Sequence, residues 1–333
     1  MAQEPLRRDS DMVVTPGEFA FVQDTTKGLI NTLVGGYKTG SSGTDQPVKW
    51  DPATRRFKPC TFEEAIQAYV DAPEGFYVVL SNPAETRADK RDEHPREGTS
   101  NPMVALHAGR RVNIPGPAHF PLWPRQTAKV IEGHHLRSNQ YLVVRVYNDE
   151  EARANWGQAV VKLQASQTSL TELGGKPSEV TAEVSTGAIA TLPPNITMGQ
   201  LMVIKGTSVA FYIPPTGVEV IPEQVGGNET YVREAVTLER LEHCILLEEN
   251  GNKRYVRGPD VVFPEPTETF ITKDGNRKFR AIELNENSGI YIKVIAEYTE
   301  GETTYKVGDE LFVTGKDQAI YFPREEHSII KYG

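Results

Sequence analysis

The sequence lacks the long apolar runs that would carry a chain into or across a membrane. Nowhere do 18 apolar residues follow one another, which argues against a transmembrane helix. The opening stretch MAQEPLRRDSDMVVTPGEF has no apolar core of the kind that a signal peptide needs. We therefore expect no secretory leader, no transmembrane segment and no membrane partner.

Positive charge is also in deficit. The chain has 36 Lys and Arg against 45 Asp and Glu, a formal net charge of -9. A general nucleic-acid binder needs a basic surface that displaces counterions, and docking on an anionic membrane needs the same sign of charge. The balance predicts no nucleic-acid partner and favours contacts with other proteins.

Cysteine is scarce as well. The two cysteines, Cys60 and Cys244, lie far apart and match no metal-binding or redox spacing. They are interpreted as free thiols in a reducing compartment.

Turn-forming residues are what the chain has in quantity. It contains 28 Gly and 23 Pro in 333 residues, which favours many short strands over long helices, and the length favours two or more structural units. The pattern Gly-x6-Gly-x7-Pro occurs four times, against roughly 0.2 matches expected by chance. The copies are Gly109/Gly116/Pro124, Gly199/Gly206/Pro214, Gly251/Gly258/Pro266 and Gly308/Gly315/Pro323. A weaker fifth copy, Gly28/Gly35, has the glycine pair without the proline.

Each copy follows a short run rich in β-branched and aromatic residues, such as EGFYVVLSN or NQYLVVRVYN, which predicts a strand. Further strand-like segments lie between and after the glycines. The first glycine is expected to adopt positive φ at a hairpin tip, the second to turn the chain back, and the proline to end a strand. One copy is then an antiparallel sheet of about 50 residues that must pack on its neighbours to bury a core.

The spacing predicts five units and shows where extra residues interrupt the repeat. Thr61 and Glu64 form a capping box that predicts a short helix over 61–72, and 83–102 reads as a polar loop. Residues 150–198 read as an insertion rich in Ser, Thr, Ala and Gly. The predicted units are 11–60 (degenerate), 61–131 (with the helix and loop), 132–223 (with the insertion), 224–273 and 274–333.

The repeat resembles those of the major vault protein family, which stack into the wall of a large hollow shell. The resemblance is carried by PGEFAFVQDTTKGLINTLVGGYKTG, by FPLWPRQTAKVIEGHHLRSNQYLVVRVYNDEE and by GDELFVTGKDQAIYFPREE. It implies a mainly β fold of tandem small antiparallel sheets in an elongated array. The family's long C-terminal helical part is missing, which puts a complete vault out of reach.

The first third, with GRRVNIPGPAHFPLWP, also looks like vault-repeat proteins of large tailed bacteriophages. That resemblance implies a virion component, assembled in the host cytoplasm, in capsid decoration, a collar or a tail. Its implied partners are other copies of the chain and other structural virion proteins.

No residue set predicts catalysis, a cofactor or a metal. His134 and His135 are adjacent, and adjacent strand residues point to opposite faces, so they make a poor pair of metal ligands. GSSGTDQP lacks the Lys-Ser/Thr of a phosphate loop. Trp50, Trp123 and Trp156 could form a sugar-binding surface, but in β-domains such residues more often lie in a core or an interface. We therefore expect that the protein is not an enzyme.

The main function predicted is therefore structural assembly through stacked repeats. A surface-binding module is the alternative, in which loops 83–102 and 150–198 grip a glycan or a host protein. A membrane-associated scaffold of the band-7 kind is a third interpretation, and the chain lacks the anchor and the coiled coil that it requires.

Overall fold

The described residues form a mainly β fold of many small antiparallel sheets, with two short α-helices and one 3-10 helix among them. The structure, a computed structural model, describes residues 12–36, 38–39, 45–85, 93–98, 104–164, 193 and 195–332. Among those residues, no helix is long and apolar enough to cross a membrane.

Five units follow one another along the chain, and each uses the same five strands. We call them, in chain order, the lead, central, hairpin, cross and exit strands. The hairpin and exit strands pair with either side of the central strand to form a large sheet, and the lead and cross strands pair to form a small sheet. In unit 1 these are β1 (Met12–Val13), β2 (Glu18–Asp24), β3 (Ile30–Val34), β4 (Lys38–Thr39) and β5 (Asp45–Asp51).

Unit 1 is followed by β6 (Arg56–Pro59), which pairs with β5, by helix α1 (Phe62–Ala65) and by β7 (Gln67–Ala68), which pairs with β2. Unit 2 has the five strands, and residues 82–110, which are described only in part, join its central strand to its hairpin strand. They are β8 (Val70–Ala72), β9 (Phe76–Ser81), β10 (Arg111–Pro115), β11 (Ala118–Phe120) and β12 (Thr127–Glu132).

Unit 3 carries extra elements between its central and hairpin strands. Its elements are β13 (His134–His135), β14 (Gln140–Val146), α2 (Asp149–Asn155), the 3-10 helix (Trp156–Gln158), β15 (Val160–Leu163), β16 (Leu201–Lys205), β17 (Val209–Ile213) and β18 (Val218–Val220). β15 adds a third strand to the small sheet by pairing with β17. A hairpin of β19 (Glu223–Val225) and β20 (Asn228–Thr230) and the short β21 (Arg233–Glu234) lead to unit 4.

Unit 4 consists of β22 (Val236–Leu238), β23 (Glu242–Leu247), β24 (Lys253–Arg257), β25 (Asp260–Val262) and β26 (Thr269–Phe270), followed by β27 (Phe279–Arg280). Unit 5 has an added hairpin between its central and hairpin strands. Its strands are β28 (Ile282–Glu283), β29 (Gly289–Val294), β30 (Tyr298–Glu300), β31 (Thr303–Tyr305), β32 (Glu310–Thr314), β33 (Ile320–Tyr321) and β34 (His327–Tyr332).

Each unit buries one small core between its large and its small sheet. In unit 4 the inner residues of the central strand, Cys244 and Leu246, pack against Leu238 and Val262 of the small sheet. In unit 5, Ile290 and Ile292 pack in the same way against Tyr321. Such a core is small, so further burial must come from contacts between units.

The first glycine of each copy lies in the turn before the hairpin strand. Gly109, Gly199, Gly251 and Gly308 have φ of +82°, +86°, +90° and +100°. Gly28, the corresponding residue of unit 1, has φ of +69°. A side chain at these positions would meet nothing within 4 Å, so the backbone conformation alone favours glycine.

The second glycine has a different role from the turn that the sequence predicts, and none of these five has positive φ. The lead and central strands are joined by a β-turn, whose first carbonyl lies against the glycine. A Cβ at Gly206, Gly258 or Gly315 would lie 1.8, 1.9 or 2.0 Å from that carbonyl oxygen. The distance is 2.2 Å for Gly116 and 2.5 Å for Gly35. The second glycine is therefore required by close backbone approach.

The prolines lie in the connection between the cross and exit strands. Pro214 directly follows β17, Pro323 lies two residues after β33, and Pro124 and Pro266 lie in the turns after β11 and β25. They stand where the cross strand has ended.

Segment 61–72 is helical only at its start. The capping box is present, because Thr61 Oγ1 accepts a hydrogen bond from the Glu64 N–H and Glu64 Oε2 accepts one from the Thr61 N–H. The helix ends at Ala65, and the rest of the segment forms β7 and β8. The predicted helix over 61–72 is therefore wrong beyond Ala65, because the following backbone pairs with β2 and β11 instead.

The junctions between units are built alike. After each unit the chain runs beside the start of the central strand, where an N–H donates to the carbonyl of the residue preceding that strand. The pairs are Tyr69 to Gly17, Gly133 to Gly75, Ala235 to Asn139 and Ala281 to Leu241. The chain thus passes from one unit to the next near residues 69, 133, 235 and 281.

The two interruptions are described in part. Within the polar loop, 86–92 and 99–103 lie outside the described residues, as do 165–192 and 194 of the insertion. The insertion begins with α2, which the sequence analysis did not predict. Asn148 caps this helix through a 3.1 Å bond from the Glu151 N–H, and three acidic residues occupy its first turn.

Candidate functional site

The outer face of each large sheet is the feature that sets this chain apart from a row of independent domains. Along a central strand, residues facing inward fill the unit's own core, and their neighbours face outward. The outward residue Phe19 of unit 1, Tyr77 of unit 2, Tyr141 of unit 3 and His243 of unit 4 are each 5% exposed or less. Something outside the unit's own core must cover them.

In unit 2 the cover is the small sheet of unit 3. Tyr77 clusters with Phe211 and Ile213 of the cross strand β17, and Val160 of the added strand β15 joins them. The insertion in unit 3 therefore contributes to the contact with unit 2.

A buried polar pair lies in this contact. Tyr77 Oη and His134 Nε2 share a hydrogen bond of 3.2 Å. Burial lowers the pKa of His134 to about 4 and raises the pKa of Tyr77, so both groups are uncharged at pH 7. The exposed His135 faces away from His134, as the strand alternation predicts.

Asn113, on the outer face of β10, fixes unit 2 to the turn after β17. Its Nδ2 lies 3.2 Å from the carbonyl oxygen of Pro214 and 3.0 Å from those of Pro215 and Val218. Its backbone N–H donates to Thr216 Oγ1 at 3.0 Å. Asn113 is 9% exposed, so these bonds satisfy groups that water does not reach freely.

A cavity of about 230 Å³ opens at the same junction. Its lining includes Arg111 and Glu219, which form a 2.8 Å ion pair, and Lys129 and Glu229, which lie 3.8 Å apart. The charged groups of the lining are thus paired across the junction, and we assign the cavity to the contact between units.

Units 3 and 4 repeat the arrangement with different residues. Tyr141 of β14 meets Phe263, at the end of the cross strand of unit 4, edge to face at 6.1 Å between ring centroids. Lys205 Nζ lies 5.5 Å from the centroid of the same Phe263 ring. The aromatic contact is supported by a cation–π contact from the hairpin strand.

Units 4 and 5 have the same geometry again. His243 of β23 meets Phe322, at the end of the cross strand of unit 5, at 6.2 Å and an interplanar angle of 81°. Arg257 Cζ lies 4.9 Å from the centroid of the Phe322 ring. Burial lowers the pKa of His243, which favours the neutral ring in this apolar contact.

Unit 1 is covered by a variant of this scheme. Phe19 meets Tyr69, which immediately precedes unit 2, at 5.9 Å, and Tyr69 meets His119 of the cross strand β11 at 4.8 Å. Phe57 of β6 covers Phe21 at 5.6 Å.

The outer face of unit 5 is different because no described residue outside its own sheet covers it. Tyr291 is 44% exposed and Phe312 is 58% exposed, and the two residues pair on the central and hairpin strands. The rings of Tyr291 and Phe312 lie 5.4 Å apart. Large exposed apolar side chains that cluster on one sheet mark an interaction surface.

The residues singled out by the sequence mainly shape the units. The first glycines form turns, the second glycines admit a turn carbonyl, and the prolines follow the cross strands. Of these residues, Pro214 also contacts another unit, through its bond with Asn113. The apolar contacts are made by Tyr77, Tyr141, His243 and their partners. Sequence reasoning missed that set, although Phe19, Tyr77, Tyr141 and His243 occupy the same position after the lead turn.

Other candidate groups do not come together as a reaction centre. Trp123 and Trp156 are buried, which removes them from any sugar-binding surface, and Trp50 packs on Phe57 at 5.3 Å. Cys244 is buried and Cys60 is half-buried, and both are free. In the described part of the chain, no group of three or more His, Cys, Asp or Glu side chains could hold a metal ion.

No family model matches the chain, and no curated protein is significantly similar to it.

Proposed function

We propose that this protein is a non-enzymatic structural protein that assembles through its stacked β-repeats into a large symmetric particle. The observation that supports this is the contact used between successive units, in which one sheet face meets the next unit at three junctions with matching geometry. Burial and hydrogen bonding across such faces stabilise an assembly without any chemical step.

The type of residue in these contacts suits permanent packing. The contacts are aromatic and aliphatic, with uncharged His134 and with Lys205 and Arg257 over aromatic rings. Aromatic residues and Arg are the anchors that protein interfaces favour. The exposed apolar surface of unit 5 offers the same kind of residue to another molecule.

We further propose that the particle is a virion of a tailed bacteriophage, in which the chain serves in capsid decoration, a collar or a tail. This rests on the resemblance of the repeat segments to phage vault-repeat proteins. The acidic net charge of -9 favours contact with protein over contact with packaged DNA.

Assembly is tested by mass photometry and negative-stain microscopy of the purified chain over a range of concentrations. We expect discrete oligomers, rings or filaments; a monomer at every concentration, with no particles on grids, would contradict the proposal. The virion assignment is tested separately by mass spectrometry of gradient-purified phage particles, in which the chain should be a stoichiometric component. Hydrolase screens should be blank.

A further inference from the structure

We propose that the outer face of the large sheet in unit 5 binds the small sheet of unit 1 in a second copy of this chain, head to tail. The inference rests on the proposed assembly function and specifies the two surfaces that meet. We call the first the open face, formed by Tyr291 and Phe312.

The open face has the construction of a contact surface. Phe312 lies across the backbone of Gly289, since a Cβ there would meet the Phe312 ring at 2.6 Å. Tyr291 packs beside Phe312, so two aromatic rings lie next to each other on one sheet. Packing of an aromatic ring over a strand glycine fixes the orientation of these rings in the absence of a partner.

The corresponding positions of unit 2 show which surface packs on such a face. Phe312 pairs with Tyr291 in the register in which Asn113 pairs with Val79, three residues before the second glycine in both units. Asn113 and Val79 are in contact with unit 3. Position for position, the open face thus matches a surface that packs on the small sheet of the following unit.

Within the described chain, one small sheet lacks a large sheet packed on it from a preceding unit. It is the sheet of β1 and β4 in unit 1, with register Met12 to Thr39 and Val13 to Lys38. Val13 precedes the fully buried Val14 and so lies on the outer side of this sheet. The uncovered outer face of unit 5 and the uncovered small sheet of unit 1 are therefore the two complementary sides of the contact that joins successive units.

Pairing these halves between copies continues the stack beyond one chain. Because the two surfaces differ, the contact is heterologous, and it closes into a ring or continues as a filament according to the rotation between copies. A two-fold dimer through the open face alone would instead place Phe312 of both copies together.

The first experiment compares wild-type assembly with that of Tyr291→Lys and Phe312→Lys, by sedimentation velocity from 1 to about 100 μM, where protein contacts of this class associate. We expect at least tenfold weaker association in both variants. Val307→Lys is the control, because Val307 is 65% exposed in the turn before β32, away from the three paired strands. Thermal unfolding of each variant checks its folding, and Tyr291→Lys serves if Phe312→Lys fails to fold.

The second experiment identifies the surfaces by cross-linking in a Cys60→Ser background, since Cys244 is buried. Chains carrying Phe312→Cys are mixed with chains carrying Val13→Cys and treated with a short bismaleimide. We expect mixed 312–13 dimers as the main product.

The outcomes separate this inference from the proposed function. Cross-links only between two 312 positions, or assembly that Tyr291→Lys leaves unchanged, overturn the head-to-tail contact and leave the assembly function in place. A chain that never associates overturns both.

Discussion

Units 2 and 5 have the same framework and opposite surroundings. Both have a three-stranded large sheet over a two-stranded small sheet, and both hold a turn carbonyl against a second glycine. The outward Tyr77 of unit 2 is 2% exposed, whereas the outward Tyr291 of unit 5 is 44% exposed. The local fold of a unit therefore does not depend on whether its outer face is covered.

The difference separates what makes a unit from what joins units. Glycine positions, turn bonds and inner apolar residues recur in both units and specify the fold. Outward residues vary with the neighbour: Asn113 in unit 2 bonds three carbonyls of unit 3, and Phe312 at the same position is exposed. Substitutions in the two classes should have separable effects.

The largest expected contrast is between two tyrosines on the same side of their central strands. Tyr77→Ala removes a buried ring and its bond to His134 and should cost about 3–5 kcal/mol of unfolding free energy. Tyr291→Ala should cost less than about 1 kcal/mol in the monomer, because its ring is already partly in water. Chemical denaturation followed by circular dichroism measures both, and equal costs would refute the distinction between covered and open faces.

The second glycines should show no such contrast. Gly258→Ala and Gly315→Ala each place a Cβ about 2 Å from a carbonyl oxygen, in a covered and in an open unit, and each should cost about 3 kcal/mol. Gly157→Ala is the control, because a Cβ there meets nothing within 4 Å. If Gly315→Ala proves as mild as Gly157→Ala, the framework of unit 5 is not the one described.

Asn113→Ala tests the polar part of the contact between units 2 and 3. It leaves the carbonyls of Pro214, Pro215 and Val218 without their donor and should cost about 2 kcal/mol. Hydrogen exchange should increase in the turn after β17 while the core of unit 2 keeps its protection. Asn228→Ala, on an exposed strand, should change neither measurement.

The smallest expected effect is on the pH dependence. The pKa of His134 is about 4 in the folded chain and about 6.5 when unfolded, so the unfolded state binds more protons between these values. This contribution to stability is complete above about pH 7 and falls as the pH drops from 6.5 to 4, by about 1–2 kcal/mol at pH 5.

His134→Gln should flatten the stability profile between pH 4 and 6.5, and His135→Gln, at the exposed neighbour, should not. Thermal unfolding in a series of buffers measures this. A slope that His134→Gln leaves intact would assign the effect to other groups.

The sequence was enough to predict the repeat and the class of fold. Gly109, Gly199, Gly251 and Gly308 stand out by spacing, and their positive φ follows from the conformational freedom of glycine. The capping box at Thr61 was equally readable, since it depends only on residues three apart.

The rest depends on contacts that are distant in sequence. Nothing near Gly258 reveals that the carbonyl of Glu239 lies against it, because the approach is set by the turn before the central strand. Ile66 and Tyr69 lie at helical spacing, but the segment that contains them pairs with β2 and β11. The partners of Tyr141 and His243 lie in the following unit, and no local pattern joins them.

The hydrogen bond at each junction fixes where the next unit begins. At all four junctions an N–H of the chain entering the next unit donates to the carbonyl preceding the central strand, so every unit starts from the same point on its predecessor. The added segments 82–110, 147–199 and 295–308 all depart from the opposite end of the central strand. Lengthening the chain at this end leaves the junction hydrogen bonds in place, although β15 of the unit 3 segment also packs on unit 2. A peptide grafted at the β23–β24 tip should therefore leave the junctions of unit 4 intact.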